Sequence, residues 1–188
     1  MQIFSDTRKL RKKAANPVVT LGNFDGLHLG HQEILRKVRE RAKKLGCPSV
    51  VYTFEPHPLK VIAPEKSPPL ILDPAKKAEL VESFGIDYMV VARFTKEFAA
   101  KHPREFVEEE LLPLGVREVW VGHDFSFGTG RAGTVEYLQA LGRELGFSVR
   151  VVPAYRKGGE VVSSSRIRRL VAEGSVGKAG MLLAGLSP

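Results

Sequence analysis

The sequence predicts an α/β protein: a parallel sheet of about five strands with helices on both faces. Three observations predict it. Short runs of apolar, β-branched residues recur along the chain, a segment of helical period follows most of them, and glycines or prolines mark the joints. The first strand is read at 17–22, Pro17-Val18-Val19-Thr20-Leu21-Gly22. A helix is expected over 29–45, where Ile34, Leu35, Val38, Ala42 and Leu45 share one face, the other face is basic, and Gly46 ends it. Residues 49–54 form the second strand. Residues 55–74, with Pro56, Pro58, Pro64, Pro68, Pro69 and Pro74, read as one long loop. A helix at 75–84 leads to a strand at 88–92, and helical material over 96–112 is broken at Pro103. A strand at 118–122, a helix at 134–145 and a strand at 148–152 follow. The tail, 165–184, reads as two short helices broken at Gly174. In such sheets ligands bind beyond the carboxyl ends of the strands, so the loops that leave strands are the informative ones.

Composition narrows the classes of function. A chain of 188 residues suits one domain over 1–188, with 170–188 as a helical tail. With 43% hydrophobic and 27% charged residues it can fold on a core, and no apolar run approaches the ~20 residues of a membrane span. The N-terminus lacks an apolar signal core, and the single cysteine, Cys47, fits a reducing cytoplasm. The net charge of +8 invites a nucleic-acid reading, but its placement matters more. Residues 1–13 carry +4, residues 150–178 carry +5, and the remainder is −1. Two basic ends around a neutral body suit compact anions such as phosphates as well as a polymer.

The first strand leads into Gly22-Asn23-Phe24-Asp25-Gly26-Leu27-His28-Leu29-Gly30-His31. Its glycines permit a tight turn, and His28 and His31, three apart at a helix start, share a face. A helix N-terminus offers unpaired N–H groups and a positive dipole end, and two imidazoles there complete a site for phosphate oxygens. No cysteine or second histidine pair accompanies them, so a protein-held metal is not expected.

Three further blocks leave strands or open helices. In Thr53-Phe54-Glu55-Pro56-His57-Pro58, prolines stiffen a loop bearing a ring and an imidazole. In Val121-Gly122-His123-Asp124-Phe125-Ser126-Phe127-Gly128, aromatics alternate with small residues, as in a core or in a wall for a flat ring. Ser163-Ser164-Ser165-Arg166 combines helix-capping hydroxyls with a guanidinium, an oxyanion binder. Arg168 and Arg169 read as surface charges.

The turn at 22–31 resembles the H-x-G-H signature of the nucleotidyltransferase superfamily, and the whole string resembles the bacterial FAD synthetases. Those proteins join an N-terminal FMN adenylyltransferase domain to a riboflavin kinase domain. The other blocks agree in order and spacing, and the likeness runs from about residue 18 to 183. It implies a Rossmann-like nucleotidyltransferase fold and transfer of AMP from ATP to FMN, giving FAD and pyrophosphate. It implies catalytic roles for His28, His31 and Arg166, and ATP contacts from Gly22, Asn23, Phe24, Asp25, Gly30, Ser163, Ser164 and Ser165. Asn23 and Asp25 would shape the turn and help orient nucleotide or metal. FMN would meet Phe54, His57, Pro58, Asp124, Phe125, Phe127, Gly128 and Arg131. Mg²⁺ would arrive with the ATP phosphates. The kinase domain is absent from these 188 residues. The alternatives are a nucleotidyltransferase with another phosphorylated acceptor and a basic nucleic-acid-binding protein, for which no aromatic-rich basic stretch of a recognised module is found.

Overall fold

The computed structural model describes residues 1–183. Its elements, in chain order, are β1 (Gln2–Phe4), α1 (Thr7–Arg11), β2 (Val18–Leu21), α2 (Leu29–Leu45), β3 (Ser49–Glu55), α3 (Pro58–Ile62), α4 (Pro74–Ser83) and β4 (Tyr88–Arg93). There follow α5 (Lys96–Ala100), α6 (Pro103–Phe106), β5 (Glu118–Gly122), α7 (Val135–Leu145), β6 (Ser148–Val152), β7 (Arg156–Lys157), β8 (Glu160–Val161), α8 (Ser164–Ala172) and α9 (Val176–Leu183). The residues 184–188 of the expected tail lie outside the described residues.

The large sheet has six strands in the order β1-β4-β3-β2-β5-β6, and every pairing in it is parallel. The central strand β2 is buried along its whole length, as a parallel strand covered on both faces must be. Its side chains alternate between two cores. Val19 and Leu21 pack with Val50, Tyr52, Val119, Leu111 and Leu138 on one face. Val18 packs with Val51, Met89 and the apolar face of α2 (Ile34, Leu35, Val38, Ala42) on the other. A small third core (Val162, Ile167, Ala179, Leu182) fastens α8 and α9 over Leu29 and Ile71. The chain leaves β2 toward β3 on one side and later returns to β5 on the other, so the order reverses at β2. The crevice beyond that reversal is where such sheets take ligands.

Four local features depart from the sequence expectation. The sixth strand, β1, is a three-residue edge strand too short and too exposed to show an alternating pattern. Residues 55–74 are not one loop: His57 caps α3 and Pro58 occupies its first turn, so the proline opens a helix. A turn of 3₁₀ helix at Pro64–Lys66 follows. The hairpin β7–β8 closes through Gly158 and Gly159, both at positive φ (63° and 80°), a Gly-Gly hairpin turn. Finally, the basic segment near the N-terminus is helical, capped by Asp6. There Lys13 bonds Gln2 Oε1 at 3.1 Å and lies over the Phe4 ring.

Candidate active site

The turn between β2 and α2 brings the two expected histidines together. His28 is the N-cap of α2 and is buried, with 6% of its surface exposed. Its Nδ1 accepts from the His31 backbone N–H at 3.4 Å, so the neutral ring holds its proton on Nε2. The two imidazoles stack, with centroids 3.7 Å apart and planes 16° apart. Phe24 meets the His31 ring edge-on at 5.2 Å. His31 Nδ1 is buried without a hydrogen-bond partner. Gly30 keeps the approach open, since a Cβ there would meet the His28 ring at 3.3 Å. The first amides of a helix have no intrahelical acceptor, so N–H groups line the same spot.

Burial sets the charge of the pair. It pushes His28 down to about 4, partly opposed by its own backbone hydrogen bond and by Asp124 and Asp25. His31 is held well below the ordinary imidazole range by burial, then by the neighbouring His28 and Lys77. Both rings are therefore neutral near pH 7, and a bound phosphate would draw protons onto them. Between pH ~6.5 and about 4 the unfolded chain binds the His28 proton and the folded chain does not, so stability falls as pH falls through that window. At 1.36 kcal/mol per pKa unit the expected loss is about 3 kcal/mol. Denaturant titrations from pH 7 to pH 4.5 should show this slope, and a His28→Asn variant should flatten it. An equal slope in both proteins would contradict it.

The turn is strained, and its fastenings are specific. Phe24 (φ 50°) and Leu27 (φ 40°) occupy the left-handed region that bulky residues avoid, with Gly26 (φ 83°) between them. Burial of both side chains (1% and 0% exposed) holds them there. Asp25 is buried, accepts from the Ile71 N–H at 3.0 Å and the Leu72 N–H at 3.3 Å, and is ion-paired with Arg168. The Asp25 carbonyl accepts from Ser164 Oγ at 2.9 Å. Gln32 Nε2 donates to the Leu27 carbonyl at 2.9 Å. The Asn23 carbonyl accepts from Thr53 Oγ1 at 3.2 Å and Lys77 Nζ at 3.3 Å, while the residue itself is exposed.

These contacts sort the residues expected at this turn. His28, His31 and Gly30 form one surface. The Phe24 side chain belongs to the core, and the Asp25 carboxylate ties the turn to the proline-rich segment and to α8. The Cβ position of Gly22 faces the Phe24 ring at 3.2 Å. Arg168 is corrected outright: it is no surface charge, because it pairs with Asp25 and donates to the Pro69 carbonyl at 3.1 Å. Arg169 is exposed, as expected.

The other strand exits surround the same end of the sheet. Phe54 is half-buried and meets Tyr52, Phe94 and Phe98 edge-on at 5.5–5.8 Å. His57 Nδ1 accepts from the Leu59 N–H at 3.2 Å. Burial lowers the His57 pKa, with Asp25 and Glu55 opposing and Arg168 and Lys77 adding, so the ring sits in the field of the first turn. Pro58 starts α3 behind it. Phe127 is buried in the core and Phe125 stacks on it at 5.6 Å. Phe106 (5.4 Å from Phe127) and Phe98 continue this run of rings to Phe54. Gly128 (φ 71°) lies flat against Pro103, where a Cβ would come within 2.7 Å. Asp124 is exposed yet within the electrostatic reach of His28. Arg131 donates to Ser126 Oγ at 2.7 Å on the exposed rim.

At the start of α8, Ser163 caps the helix, accepting from the Arg166 N–H at 3.2 Å, and Ser165 is exposed. The Arg166 guanidinium is engaged by the β7–β8 hairpin. It donates to the Lys157 and Glu160 carbonyls at 3.2 Å each and pairs with the Glu160 carboxylate at 2.7 Å. Its Nε is buried without a partner. Sequence reasoning missed Thr53, Lys77 and the role of Arg168. Among the described residues no group of three or more His, Cys, Asp or Glu side chains is arranged to hold a metal ion.

The chain as a whole is similar to known proteins. The FAD synthetase family matches residues 10–166. The chain is 36% identical over 167 residues to the bifunctional riboflavin kinase/FMN adenylyltransferase of Escherichia coli K12, covering 88% of this chain and 53% of that one. It is 38% identical over 184 residues to the protein so described in Pseudomonas fluorescens, covering 97% of this chain and 59% of that one. A solved structure described as a macrolide-efflux protein from Streptococcus pneumoniae superposes with a TM-score of 0.80 at 28% identity. That superposition covers 96% of this chain and 59% of the other. The chain thus spans little more than half the length of these relatives. Among the described residues no helix is long and apolar enough to cross a membrane. Because the match at 10–166 takes in the histidine turn, the aromatic exits and the start of α8, the chain belongs to the FAD synthetase family.

Proposed function

We propose that the chain is the FMN adenylyltransferase half of such a protein, transferring AMP from ATP to FMN with release of pyrophosphate. The observation that carries this reading is the stacked His28–His31 pair at the start of α2, set at the reversal point of the sheet. Relatives bearing that activity in their descriptions support it.

In this reading an FMN phosphate oxygen attacks the α-phosphorus of ATP. The new P–O bond forms as the bond to pyrophosphate breaks. The attacking oxygen is already anionic, so no general base is required, and catalysis rests on positioning and charge stabilisation. His28 donates from Nε2 toward the phosphates, and His31 and the first amides of α2 complete the cradle. Ser163, Ser164 and Ser165 offer hydroxyls at the neighbouring helix start. Arg166 reaches the leaving pyrophosphate by exchanging its hairpin carbonyls and Glu160 for phosphate oxygens. FMN lies along the Phe54–Phe125 side, with His57, Pro58, Asp124, Gly128 and Arg131 around it. The donors of the crevice are imidazoles, amides and hydroxyls, and Asp25 is committed to Arg168. They fit a Mg²⁺ that arrives on the triphosphate, where it would offset phosphate charge. Cytoplasmic location belongs to the same proposal, supported by the single cysteine in 188 residues.

An acceptor screen tests the substrate assignment. With purified chain and Mg²⁺, FMN should be adenylylated by ATP in preference to transfer from CTP, and phosphopantetheine and phosphocholine should not serve as acceptors. Preference for either of those acceptors would reassign the enzyme within the nucleotidyltransferases.

A further inference from the structure

A lysine inside the molecule faces the underside of the histidine turn. Lys77 lies on α4 with 7% of its surface exposed, and lysines are almost never buried this far without a partner. Its Nζ donates to the Asn23 carbonyl at 3.3 Å and to Thr53 Oγ1 at 3.4 Å, both uncharged oxygens. The carboxylates in its field are Glu55, at the end of β3, and Asp25, already paired with Arg168. The imidazoles of His31 and His57 lie within its field too, and Lys77 opposes their protonation.

A buried cation on neutral oxygens costs more than an apolar side chain of the same length. Packing therefore does not explain the ammonium, whereas an anion bound above it would. The carbonyl it holds also precedes Phe24, the first left-handed residue of the strained turn. We propose that Lys77 is a positioning residue of the nucleotide site: it clamps the Asn23 carbonyl, fixes the Phe24–Leu27 turn beneath the histidines, and lays a fixed positive charge under the bound triphosphate. This inference rests on the adenylyltransferase reading.

Two variants separate clamp from charge. Lys77→Gln keeps a donor for Asn23 and removes the charge; Lys77→Arg keeps the charge. Four quantities are measured on each: the unfolding midpoint, the Kd for ATP alone, FAD formation, and the titration of the His31 ring by NMR. For Lys77→Gln the expected result is a folded protein with ATP binding weakened about tenfold and turnover lowered about 10²-fold. Its His31 titration should move to higher pH, because a repelling cation is gone. Lys77→Arg should recover much of the affinity and keep His31 low. Wild-type ATP affinity and an unmoved His31 titration in Lys77→Gln would overturn the proposal, as would equal losses in both variants that merely follow a loss of folding. If the wild-type chain itself makes no FAD, the functional reading fails, while ATP binding and the His31 titration still decide the role of Lys77.

Discussion

His31→Ala is expected to lower FAD formation by about 10²–10³-fold with the fold intact, the loss typical of one preorganised donor to a developing oxyanion. The imidazole stacks on His28 and packs against Phe24 at one rim of its own helix, so its removal leaves the β2–α2 connection and both cores in place. His28→Ala should lose activity similarly but also cost about 1 kcal/mol of stability, because His28 caps α2. Saturating kinetics with ATP and FMN, beside circular dichroism of both variants, would check the pair. Turnover near the wild-type value in His31→Ala would remove that ring from the chemistry.

The largest expected effect on stability comes from Asp25→Ala. The substitution strips the partner from a mostly buried Arg168 and leaves the Ile71 and Leu72 N–H groups without their acceptor. Breaking one side of a buried pair costs about 3–5 kcal/mol, and the strained Phe24–Leu27 turn loses an anchor as well. Asp25→Asn should fall between, since its carbonyl oxygen can still accept from the two amides. In a double-mutant cycle, Arg168→Met should cost less in the Asp25→Ala background than in wild type, because its partner is already gone. Denaturant unfolding that places Asp25→Ala within about 1 kcal/mol of wild type would show that the turn does not depend on this clasp.

Much of this architecture was legible in the sequence because local and global signals agree. The runs at 17–22, 49–54, 88–92 and 118–122 give four largely buried strands of the parallel sheet, and 148–152 gives its edge strand β6, exposed along much of its length. The departures have local causes. Pro58 stands at the start of a helix, where its missing N–H costs nothing, and a cluster of prolines does not by itself distinguish that position from a loop. The edge strand β1 is set by pairing with β4, a long-range contact that three residues do not encode. The Gly158-Gly159 pair is a hairpin signal, but its two flanking strands are only two residues each and carry no alternation of their own.

The turn itself was legible by its spacing of glycines and histidines. What spacing could not show is which way each side chain turns. Phe24 turns into the core, Asp25 turns toward Arg168 some 140 residues away in sequence, and Arg166 turns to the hairpin. Lys77 and Thr53 were invisible for the same reason. Each lies on an ordinary helix or strand, and only the folded chain brings them under Asn23.

The most direct test of the account is to incubate the purified chain with FMN, ATP and Mg²⁺ and to follow FAD and pyrophosphate together. Both products are expected in equal amounts, formed only when ATP and FMN are present together. Folded protein at high concentration that yields neither product, or pyrophosphate without FAD, would contradict it.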